Sequence, residues 1–141
     1  MATRADFTDD EWQTLQWAVT DTMAYLSLAD PGFWDMFKEA KGAATFISSV
    51  KVTSESSLVR QLADEMKMKR DKALSANPTD MASEVIARIG DATAMVADKA
   101  PDDLPAFKEF IVGVARATAE AAGGVGSTEA SAIAKLEAAL G

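Results

Sequence analysis

The strongest constraint on this chain is that its two ends carry one helical pattern. A shift of 92 positions, with no gap, carries Trp12 onto Leu104, Leu15 onto Phe107 and Val19 onto Ile111. The same shift carries Gly32 onto Gly124, Ala40 onto Ala132 and Ala44 onto Leu136. The matches fall on apolar positions of helical spacing and on the turn glycines, where folding needs them. They predict two helix–turn–helix halves about a pseudo-twofold axis. The match fails at the acids, since Asp30 falls on Ala122 and Asp35 on Ser127. The repeat therefore supports a shared fold more than a shared site.

Local signals predict a single all-α domain over residues 1–141, with about six helices. Thr8-Asp9-Asp10-Glu11 is a capping box, and Phe7 and Trp12 occupy the staple positions around it. The first stripe is Trp12, Leu15, Val19, Thr22, Met23 and Leu26, ending at Ala29-Asp30-Pro31-Gly32, where Pro31 breaks the helix. A second helix is expected over 32–49, with Val50-Lys51-Val52-Thr53-Ser54 as a connection. A third is expected over 54–74 on Leu58, Leu62 and Met66. A fourth is expected over 81–99 on Met81, Val85, Ile89, Ala92 and Val96. A fifth is expected over 104–122 on Phe107, Ile111, Val114, Ala115 and Thr118. Gly123-Gly124 permits a C-cap, and Ser127 opens a sixth helix on Ile133, Leu136 and Leu140.

Composition narrows the chemistry. The chain has no Cys and no His, which removes thiol, disulfide and imidazole chemistry and both familiar nucleophile triads. Any metal would be a hard, oxygen-ligated cation. With 22 acids against 14 bases, both halves are acidic, so nucleic acid is not an expected partner. The one basic cluster, Lys67-Met68-Lys69-Arg70, reads as a solvated helix face. No run of about 20 apolar residues exists for a transmembrane helix. Met1–Asp6 lacks an apolar leader core, so a cytoplasmic location is expected.

With those residues in view, the chain resembles the tellurite-resistance TerB-like family. The likeness rests on Phe7-Thr8-Asp9-Asp10-Glu11-Trp12 and on the break at Ala29-Asp30-Pro31-Gly32. It rests also on Ala115–Gly124 and on Ser127-Thr128-Glu129 at the closing helix. The resemblance implies a compact helical fold with internal pseudo-symmetry and a non-enzymatic role in tellurite resistance or stress response. It also implies an acidic metal-binding surface. Pro31 in the first turn, and the missing acid at Ala122-Gly123, argue against a symmetric pair of metal sites.

Four candidate features follow. Asp30, Asp35 and Glu39 are the metal candidates: Asp35 and Glu39 are i, i+4 neighbours behind the Asp30 turn and suit Ca²⁺ or Mg²⁺. Helix capping and a solvated face account for the same three residues, and no cofactor is otherwise expected. Trp17, Tyr25, Phe33, Trp34 and Phe37 concentrate aromatic mass as a ligand or partner surface. Trp34 beside Lys38 and Lys41 suits a protein partner, a homodimer or peripheral membrane contact; core packing explains it too. The alternative function is an aromatic-lined cavity, on Trp17, Tyr25, Phe33 and Phe37, for a small apolar ligand or lipid. Asp21, on an apolar face, is either a desolvated acid or base, which would suit an enzyme, or a group that points to a groove edge or bonds Thr20, Thr22 or a neighbouring helix. Finally, Gly123-Gly124-Val125-Gly126-Ser127-Thr128 is a turn before a helix, lacking the lysine of a phosphate loop.

Overall fold

In the computed structural model, residues 4–29, 36–65, 78–121 and 127–141 are described, and among them every regular element is helical. The α-helices among the described residues are α1 (Asp9–Ala29), α2 (Met36–Thr53), α3 (Ser57–Asp64), α4 (Pro78–Lys99), α5 (Leu104–Ala121) and α6 (Ser127–Leu140). Short 3-10 turns at Arg4–Asp6 and Pro101–Asp103 precede α1 and α5.

The start of α1 follows from its capping box. The Thr8 amide donates to Glu11 Oε1 at 2.9 Å, and the Glu11 amide donates to Thr8 Oγ1 at 3.1 Å. The Phe7 and Trp12 rings close the staple at 6.0 Å between centroids. Lys99 at the end of α4 bonds Glu11 and lies 5.8 Å from the Phe7 ring. The Lys99 ammonium, with the Thr8 amide behind it, holds the Glu11 carboxyl below its ordinary pKa. Arg4 stacks 5.6 Å above Trp12 and pairs with Asp9, while its amide donates to Gln61 on α3. Thr8→Ala is expected to cost about 1 kcal/mol; a urea midpoint equal to that of the parent would remove the cap from the list of stabilising contacts.

The predicted stripes form the core, with Met23 and Met81 partly buried at its edge and Met66 outside the described residues. Leu15, Val19, Leu58, Leu62, Val85, Ile89, Ala92, Val96, Phe107, Ile111, Val114 and Leu136 are fully buried. Leu15 with Phe107, and Val19 with Ile111, are pairs of the 92-residue shift, and all four are inside. The buried threonines satisfy themselves: Thr22, Thr93 and Thr118 each donate to the carbonyl four residues back, at 2.7 Å.

α1 and α5 are the central elements. α1 packs against α2, α4, α5 and α6, and α5 meets every other one of these α-helices. The most extensive pairing is α2 on α5. Gly113 permits it, because a Cβ there would run into the Phe46 ring. Phe46 in turn stacks on Phe110 at 6.3 Å.

Three boundaries differ from the sequence expectation. α2 continues through Val50-Lys51-Val52 to Thr53 instead of ending at Ser49. Val50 is buried, so packing outweighs the modest helix penalty of β-branched residues. α3 is short: it starts after an N-cap at Ser56 and ends at Asp64, where the Glu65 amide still reaches Gln61 O. α4 begins at Pro78 rather than Met81, with proline in the first turn, where no amide donor is needed.

Candidate functional site

An open groove of about 760 Å³ lies where α2 ends, α3 begins and α5 begins. Its apolar lining is Phe46 and Val50 from α2, Val59 from α3, and Pro105, Ala106 and Phe110 from α5. Its polar lining includes four carboxylates, Glu55, Asp102, Asp103 and Glu109. Three of these, Glu55, Asp102 and Glu109, are exposed. The carboxyl end of α2 adds the negative end of a helix dipole to the same wall. Beside it, on the last turn of α2, Val52 is 82% exposed, the large apolar side chain most open to water among the described residues.

A buried polar knot sets the groove's shape. Ser56 Oγ accepts the Val59 amide at 3.1 Å, which caps α3. The same hydroxyl donates to Asp103 Oδ1 at 2.8 Å, across 47 positions of sequence. Ser56 and Asp103 are both buried. Asp103 is thus occupied in tying the 3-10 turn before α5 to the start of α3. Glu55, Asp102 and Glu109 take no part in this knot and face solvent.

Asp21 is the buried carboxylate that the sequence singles out. Its side chain is fully buried, and Oδ2 accepts from Arg88 Nη1 of α4 at 2.6 Å. Burial pushes its pKa up from 3.8 to about 6 against the pull of Arg88, with Glu84 adding a small push upward. Thr20 and Thr22 do not serve it; their hydroxyls donate to Gln16 and Ala18 carbonyls. Asp21 does not line the groove, so it is placed as a core ion pair.

The other sequence candidates fall unevenly. Asp30, Asp35, Phe33 and Trp34 lie outside the described residues, as do the side chains of Glu39 and Phe37 on α2. The glycine-rich segment 123–126 lies outside them as well. Trp17 is half-buried; Tyr25 is buried, which pushes its phenol pKa up. Among the described residues, no group of three or more acids is placed to hold a metal ion. None of the described helices is long and apolar enough to cross a membrane.

Sequence reasoning missed the groove. Its walls come from residues 46–59 and 102–110, which no local periodicity joins. The available signals were Ser56, three residues before Val59, and the acidic pair Asp102-Asp103 at a helix start. No protein-family model matches the chain, and no curated protein or solved structure matches it either.

Proposed function

We propose that this protein is a non-catalytic binding module whose groove receives a segment of a partner protein. The observation that carries this reading is the open groove itself, with an apolar floor and an exposed carboxylate rim beside Val52. Mixed apolar and polar lining with a few oriented groups is the usual make-up of a recognition site. A neutral lipid would strip water from carboxylates it cannot pair, which disfavours it there. Catalysis is disfavoured because, among the described residues, the two buried aspartates are both engaged: Asp21 sits away from the groove in an ion pair, and Asp103 is held by the Ser56 hydroxyl. The stress- or tellurite-linked role implied by the TerB resemblance is a separate proposal resting on sequence motifs alone.

Selection from a random peptide display library tests the reading. Peptides retained by the parent are expected to lose at least tenfold in affinity against Ala106→Trp, which fills the groove from a half-buried position on α5. An exhausted library with no binders, or binders indifferent to that change, would overturn it.

A further inference from the structure

We infer that the groove's occupant is a basic amphipathic helix, an inference that rests on the binding-module reading above. Three features of the surface lead to it. First, charge: Glu55, Asp102 and Glu109 are exposed around the groove, and Asp103, inside it, is already paired with Ser56. An acidic segment would add like charge to this rim, whereas Lys or Arg would pair with it. Second, backbone: among the described residues there is no strand, hence no sheet edge to accept an extended peptide. An extended segment would bring unpaired amides and carbonyls against Phe46, Pro105 and Ala106. A helix satisfies its own backbone and offers side chains alone. Third, the walls: α2 and α5 already pack together through Phe46, Gly113 and Phe110. A third helix laid along them would set residues at i, i+3 or i+4, and i+7 on that floor.

The recognition is therefore divided. Apolar side chains of the visiting helix cover Phe46, Pro105 and Ala106, the apolar lining residues that are not already buried, and reach exposed Val52 at the edge. Its Lys or Arg side chains, on the flanks of that stripe, meet Glu55, Asp102 and Glu109. Exposed ion pairs contribute little each, so the apolar floor supplies most of the affinity. The carboxylates supply selectivity, association rate and salt sensitivity.

The test uses the full chain, ¹⁵N-labelled, and two synthetic helices of about five turns. Both carry one leucine stripe; one is flanked by lysines, the other by glutamates. The lysine peptide is expected to shift amides of Val50, Ser56, Ala106 and Phe110, with affinity falling as salt rises. Glu55→Lys combined with Glu109→Lys should weaken it at least tenfold and favour the glutamate peptide. Both positions are exposed, so an unchanged melting temperature verifies that this variant is folded. If both peptides bind equally well at the groove, the basic occupant is wrong while the binding module stands. If neither moves groove amides, both readings fall. Sedimentation of the unliganded chain supplies one further arm. A concentration-dependent dimer dissolved by the charge reversal would make a second copy the occupant and overturn the basic helix.

Discussion

At pH 8, Arg88→Met is expected to lower the unfolding free energy by about 3–5 kcal/mol, because it strands a fully buried carboxylate. The loss should shrink markedly at pH 5. Asp21 holds its proton more tightly folded than unfolded, with a pKa of about 6 against 3.8. Its contribution to stability is thus fully present below about pH 3.8 and is lost as pH rises to about 6. A shift of that size corresponds to roughly 3 kcal/mol between the two limits. Without the guanidinium the carboxyl pKa rises further, and the loss extends to higher pH. Asp21→Asn removes the charge and keeps an acceptor for Arg88, so it should change stability far less at pH 8. The double variant Asp21→Asn with Arg88→Met should recover most of what Arg88→Met loses. Urea unfolding at both pH values checks this. Equal losses for Arg88→Met at pH 5 and pH 8 would show that Asp21 titration plays no part.

Ser56→Ala is expected to cost about 2–3 kcal/mol, more than an ordinary cap. One hydroxyl serves two buried groups: the Val59 amide, which starts α3, and the Asp103 carboxylate. Deleting it removes an N-cap worth about 1 kcal/mol. It also removes a hydrogen bond to a carboxylate worth about 1.5–3 kcal/mol. The two losses share one atom and are not fully additive. Since Ser56 and Asp103 both line the groove, peptide affinity should fall together with stability. A cycle with Asp103→Ala isolates the pair. Coupling below about 0.5 kcal/mol would mean that the two groups act independently.

How much was legible in the sequence depends on how far apart the contributing residues lie. The α1 cap involves residues 7–12 and was readable in full, down to both reciprocal hydrogen bonds. The stripes of α4, α5 and α6 were readable because burial follows the helical period. The end of α2 was not, because Val50 and Val52 locally disfavour a helix that α5 stabilises from outside. Asp21 was legible as a carboxylate on an apolar face, but Arg88 lies 67 positions away, and only packing of α1 on α4 joins them. The groove is the extreme case. Its walls are ordinary helix ends, and it exists only where three of them meet.

The central position of α1 has a consequence for synthesis. Its stripe is covered by α4, α5 and α6, all emerging from the ribosome later. A nascent chain that has made only α1 to α3 therefore presents Trp12, Leu15 and Val19 without the helices that cover them. Native closure waits for Leu136. Until those helices follow, the apolar stripe of α1 is surface of the kind that makes incomplete chains prone to association.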